Sequence, residues 1–178
     1  MKSTLSSFVL AALFTASSAL AVAVPASTAT ANLNVTATVI NNCLISTTAV
    51  AFGVYDPISA QASTALTGTG ALTVTCTKGA AATITLGQGS YAASGSSDGT
   101  PRRQMKSAST FQGAPVYLGY TLYSDNAHTA LWGNTASTGA AYNGTGISSS
   151  VNVYGSISAA QNVPAGSYSD TVVVTITF

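Results

Sequence analysis

The chain has 178 residues, of which only 5% are charged: five Lys or Arg, four acidic residues that are all Asp, and a single His. So neutral a surface gives no electrostatic basis for a nucleic-acid or anionic-membrane partner, and it does little to keep copies apart by repulsion. With one His and no Glu, metal ligands and acid–base groups are nearly lacking, and no cofactor is called for.

Met1 and Lys2 supply a positive start, residues 5–14 an apolar stretch, and the Ala19-Leu20-Ala21 triplet a small-x-small cleavage site, the three parts of a secretory signal peptide. The apolar stretch is too short to span a bilayer, so no membrane insertion is expected. Residues 1–21 are therefore read as signal peptide, with cleavage after Ala21 or Ala23. Losing Lys2 leaves the remaining Lys and Arg balanced by the four aspartates.

Residues 22–41 form a leader in which Ala29, Ala31, Leu33, Val35, Ala37 and Val39 alternate with Thr and Asn, the period-two pattern of a strand that needs a sheet. Residues 42–178 are read as the folded body. Strand-like segments follow at 43–55, 70–77, 82–86, 116–123, 149–157 and 168–178. Between them lie Asp56-Pro57, Lys78-Gly79, the Gly- and Ser-rich stretch 87–100, Asn143-Gly144 and the Pro164-Ala165-Gly166 turn. In an exported protein the single pair Cys43 and Cys76 most simply means one disulfide, worth roughly 3 to 4 kcal/mol.

The closing segment alternates Val172, Val174, Ile176 and Phe178 with Val173, Thr175 and Thr177, and no residue remains downstream to form its hairpin partner. About six body strands, where an immunoglobulin-like sandwich has seven, imply an incomplete all-β sandwich with a groove beside the C-terminal strand. An unpaired edge invites another chain, and the leader of a neighbouring copy has the pattern to fill it by β-strand addition. A ten-residue strand burying five or six small apolar side chains gains on the order of 8 to 12 kcal/mol before ordering costs. Donor and acceptor surfaces differ, so the contact runs head-to-tail and yields a fibre rather than a closed ring.

Other residues carry the letters of other chemistries. His128, Asp125 and the many serines spell a hydrolase triad, but no Gly-x-Ser-x-Gly elbow accompanies them and a surface or packing role is expected for the His. Arg102, Arg103 and Lys106 are expected in a solvated loop rather than at an acidic ligand. Tyr117, Tyr120, Tyr123 and Trp132 offer aromatic faces for a sugar, yet Tyr117 and Tyr123 fall on one strand face and Tyr120 on the other, so packing is the expected role of at least one set. The sequons at Asn34 and Asn143 are coincidences in a Thr-rich chain.

The runs ATVINNC at 37–43, LTVTC at 72–76, YTLYSD at 120–125 followed by LWG at 131–133, VYG at 153–155 and VPAGSYSDTVVVTITF at 163–178 resemble, in order and spacing, the spore coat protein U domain family. That family includes the Csu-type pilins of archaic chaperone-usher pathways. The resemblance covers essentially the whole chain after the signal. It implies an incomplete immunoglobulin-like fold and a disulfide at Cys43 and Cys76. It also implies a structural, non-enzymatic subunit of a surface pilus that supports adhesion and biofilm formation. The partners implied are identical or homologous pilin subunits in a head-to-tail homopolymer, a periplasmic chaperone and an outer-membrane usher, with export through the periplasm to the cell surface.

Carried onto this sequence, the donor-strand role falls on Ala29, Ala31, Leu33, Val35, Ala37 and Val39. The acceptor and chaperone-contact role falls on Val172, Val174, Ile176 and Phe178. The alternatives are a carbohydrate-binding surface module, a tip adhesin, or a spore or cyst coat structural protein.

Overall fold

The computed structural model describes residues 22–178, so the expected signal peptide lies outside the described residues. The chain divides after Ala37, and Thr38–Phe178 forms the β body. Nine strands and no helix occur among the described residues: β1 (Cys43–Ala51), β2 (Leu66–Cys76), β3 (Ala81–Leu86), β4 (Arg103–Phe111), β5 (Ala114–Tyr123), β6 (Ala140–Asn143), β7 (Ser149–Ile157), β8 (Tyr168–Ser169) and β9 (Val174–Thr177). They build a six-stranded sheet in the order β1-β2-β7-β5-β4-β8 and a three-stranded sheet in the order β6-β3-β9. All strand pairs are antiparallel.

Alternation makes the core. Leu72, Val74 and Cys76 of β2, Leu118 and Leu122 of β5, and Val153 and Ile157 of β7 point to one side of the large sheet, where they meet Ile84 and Leu86 of β3. Trp132 is fully buried, and its indole N–H donates to the Ile84 carbonyl at 2.8 Å. Large apolar area is thus buried without an orphaned donor.

The Cys43–Cys76 disulfide joins directly opposed residues where β1 and β2 meet. At its other end β1 is bulged between Thr48 and Ala51, and the chain folds back over two glycines. A Cβ on Gly70 would lie 2.7 Å from the Thr48 carbonyl and 2.8 Å from Val50, and one on Gly155 would lie 2.6 Å from the Phe52 ring. Only glycine lets β2 and β7 pass beneath Val50 and Phe52.

Four expectations about the elements are revised, and with them the count of about six body strands, which is nine among the described residues. β1 stops at Ala51 instead of 55, because Gly53 takes φ +81° and the Asp56 carboxylate accepts from Ile58 N and Ser59 N at 3.1 Å each, closing a turn. β4 and β6 were absent from the sequence reading. β4 carries a polar run with little apolar alternation, and β6 is only four residues long. The single closing strand expected over 168–178 is two strands in two different sheets: β8 pairs with β4, and β9 pairs with β3.

Candidate strand-accepting groove

β1 and β9 are each the last strand of their sheet, with β2 and β3 as their respective partners. Between them opens an apolar cavity of about 380 Å³. Thr47–Val50 of β1 form one wall and Ser169–Val172 with Val174 the other, while Leu72, Leu86, Tyr120, Leu122 and Val153 lie between them. A larger hollow of about 860 Å³ continues it under the loop after β1, sharing Val50, Phe52, Met105 and Tyr168. The outer edge of β1 and the segment leading into the edge strand β9 therefore flank a trough floored by core side chains.

The C-terminal residues sit as follows. Val172, Val174 and Ile176 are half-buried against the core, whereas Val173 and Phe178 are 68% and 50% exposed. Val172 and Val174 line the groove, and Ile176 lies opposite Ile84 in the β3 pairing. In the leader, Ala29, Ala31, Leu33, Val35, Ala37 and Val39 are exposed, Leu33, Val35 and Val39 by more than four-fifths, and residues 22–42 carry no secondary structure. A row of exposed alternating aliphatic side chains is not at its free-energy minimum in water.

Sequence reasoning missed a buried polar network at the back of the groove. Arg103, expected in a solvated loop, is 1% exposed and opens β4. Its Nε donates to the Gly87 carbonyl, and its Nη2 to the Leu86 and Trp132 carbonyls, each at 2.8 Å; Nη1 has no partner among the described residues. Burial lowers its pKa to about 10, against the raising influence of Tyr120 and Asp170.

Opposite Arg103 in the β4–β5 register stands Tyr120, whose hydroxyl donates to Asp170 Oδ2 at 2.7 Å. Burial first, and the bond to Asp170 second, push the Tyr120 phenol far above its ordinary value, so it is a fixed hydrogen-bond donor at any physiological pH. Asp170 Oδ1 accepts from the amides of Ser90 and Thr171, both at 2.8 Å. The one sequence signal for this network is scarcity: where so few residues are charged, an Arg and an Asp beside apolar runs stand out.

The remaining candidates disperse. The Asp125 carboxylate accepts from Ala130 N at 2.7 Å and from Thr129 through its amide at 3.0 Å and its hydroxyl at 2.7 Å, which holds its pKa below the usual carboxylate value. It closes its own turn rather than orienting His128. The His128 ring instead packs edge-on to Tyr123 and Tyr154, with centroids 5.1 and 6.2 Å apart. Trp132 and Tyr120 are buried and Tyr117 is 38% exposed, so these aromatics present no common face.

The chain matches the Spore Coat Protein U domain over residues 29–175. It belongs to the spore coat protein U domain family. A curated relative named Protein U, from Myxococcus xanthus, is 46% identical over 159 residues, covering 86% of this chain and 87% of the relative. In fold, this spore coat protein U domain is similar to a chain from the chaperone–tip adhesion subunit pre-assembly complex of archaic chaperone-usher Csu pili of Acinetobacter baumannii. The TM-score is 0.53 at 20% identity, and the match covers 79% of this chain but 40% of the other. The fold is an all-β, immunoglobulin-like sandwich.

Proposed function

We propose that the protein is a structural, non-enzymatic subunit of a surface fibre, exported through the periplasm and assembled by donor-strand exchange with the help of a chaperone and an outer-membrane usher. One observation carries the reading: an apolar groove bounded by the outer edge of β1 and the segment leading into β9, in a chain whose exposed leader alternates at strand period. Ala29, Ala31, Leu33, Val35, Ala37 and Val39 of one copy enter the groove beside Val172, Val174, Ile176 and Phe178 of the next. Their backbone pairs with the edge strands while alternate side chains fill the trough. The folded body is then an acceptor and the leader a donor, and the polymer is open-ended. The likeness to a chain from a chaperone–subunit complex supports a chaperone strand as an earlier occupant of the same groove. Adhesion and biofilm formation are the roles such a fibre serves.

A chain lacking residues 28–39 tests this directly. It is expected to accept a strand but not to donate one, so titrating it into intact subunits shortens fibres in proportion to its mole fraction, as measured by electron microscopy. Undiminished fibre length sinks the reading. A coat protein polymerised by the same contacts is a second setting, favoured by the family to which the chain belongs. Locating the protein on vegetative cells or on spores separates the two.

A further inference from the structure

Residues 170–172 form one wall of the groove, yet the segment 170–173 belongs to neither β8 nor β9 and crosses from one sheet to the other. A crossing segment with an apolar face and a vacant trough beside it has an alternative: to slide inward and cover its own core. What opposes that slide is polar. Asp170 takes three hydrogen bonds, from Tyr120 on β5, from Ser90 in the loop after β3, and from its own neighbour Thr171. Ser90 Oγ donates to the Thr171 carbonyl at 3.3 Å, and Gly87 N donates to the Val173 carbonyl at 2.8 Å. Gly89, at φ +84°, lies so close to the carboxylate that any Cβ there would collide with Asp170 Oδ2. From the other side Arg103 holds the Leu86 and Gly87 carbonyls. The turn out of β3 is thus gripped by a guanidinium on the Leu86 and Gly87 carbonyls and a carboxylate on the Ser90 amide, and the crossing segment is fastened to it.

We propose that Asp170 is the positioning residue for strand acceptance: its carboxylate fixes the crossing segment against the 87–90 loop and so keeps the groove open for an incoming strand. This rests on the acceptor reading above. Charge-assisted bonds of this kind are short and directional, and a side-chain network that ties together β5, the 87–90 loop and the crossing segment specifies one arrangement rather than adding bulk stability. Such a device is suited to a wall that must not collapse while vacant.

The test uses the full chain after signal removal, an excess of a synthetic peptide of residues 28–39, and hydrogen exchange on the same samples. Asp170→Asn retains size but replaces an acceptor oxygen with a donor. It is expected to slow peptide uptake about ten-fold or more. Exchange at the Ser90 and Thr171 amides, which donate to Asp170, and at the Gly87 amide, which donates to the Val173 carbonyl, should quicken, with protection in β2 and β7 unchanged. Tyr120→Phe removes one bond of the three and should slow uptake less, by about three-fold, adding little on the Asp170→Asn background.

If Asp170→Asn does not fold, Tyr120→Phe alone decides, by the same criterion of slowed uptake with exchange loosened only at Gly87, Ser90 and Thr171. Uptake at the wild-type rate overturns the inference, as does slowed uptake with equal loss of protection throughout β2 and β7. Wild-type protein that takes up no peptide overturns the acceptor reading itself.

Discussion

The β2–β7 pair and the C-terminal segment both alternate apolar and polar residues, but they use the pattern differently. β2 and β7 run in unbroken register from Leu66 opposite Ile157 to Val74 opposite Ser149. Each has the other as a ladder partner over nine residues, and further partners in β1 and β5 over part of its length, so alternation and ladder coincide. In the C-terminal segment the alternation persists from Val172 to Ile176, half-buried against exposed, yet strand pairing begins only at Val174. Apolar periodicity specifies which side of the backbone faces the core. It does not specify whether a ladder partner exists. Where the partner is missing, side-chain hydrogen bonds from Asp170 and Ser90 take over the placement of the chain.

The largest expected effect lies at the junction of the two regions. Replacing Cys43 and Cys76 together by Ser frees the start of β1, one wall strand of the groove, from β2. Loop-closure reasoning gives a loss of about 4 kcal/mol in global stability, to be read from the denaturant midpoint of the oxidised wild type and the double variant. If the midpoints agree within error, the edge strand is held by its ladder alone.

The comparison is sharpened by two truncations on opposite sides of it. Val74→Ala, in the fully buried run of β2 and outside the groove lining, should cost about 2 kcal/mol of global stability. Val174→Ala, half-buried at the groove, should cost only about 1 kcal/mol. For peptide uptake the order should reverse, because Val174 lines the groove from the free edge. Parallel denaturation and peptide-binding titrations test this. Equal ratios of stability to affinity loss in both variants would remove the distinction between a load-carrying centre and a receptive margin.

Much of this was legible beforehand, and the reasons divide along the same line. β2, β3, β5 and β7 were found to within a few residues because their apolar faces meet the core. Cys43 and Cys76 marked their own bond, whereas the count of about six strands that suggested an open sandwich was itself too low, since nine strands form among the described residues. β4 was invisible: only Arg103 is fully buried in it, and a guanidinium in a core is indistinguishable in sequence from one in a loop. Residues 168–178 read as one strand because the break is made by Asp170, whose partners at 90 and 120 are remote in sequence. Long-range polar contacts leave no periodicity to read.

Asp170 and Asp125 carry the smallest of these tests. Both carboxylates accept several hydrogen bonds, but every donor to Asp125 lies within five residues in an exposed turn, while Asp170 reaches across the fold. The Asp125 pKa is lowered in the folded protein, chiefly by the Ala130 amide and then by the Thr129 hydroxyl. Its contribution is therefore fully present above the ordinary value of 3.8 and is lost as pH falls through the lower folded value. As pH falls through that folded value the Thr129 and Ala130 amide resonances should titrate together while the β2 and β7 amides stay still, and Asp125→Asn should abolish the titration and lower the denaturant midpoint at neutral pH only slightly. A shift that spread into β5 and β7 would instead mean that the 125–130 turn is coupled to the centre through His128, wedged between Tyr123 and Tyr154. The surface turn would then belong with the centre of the sheet rather than with its margin.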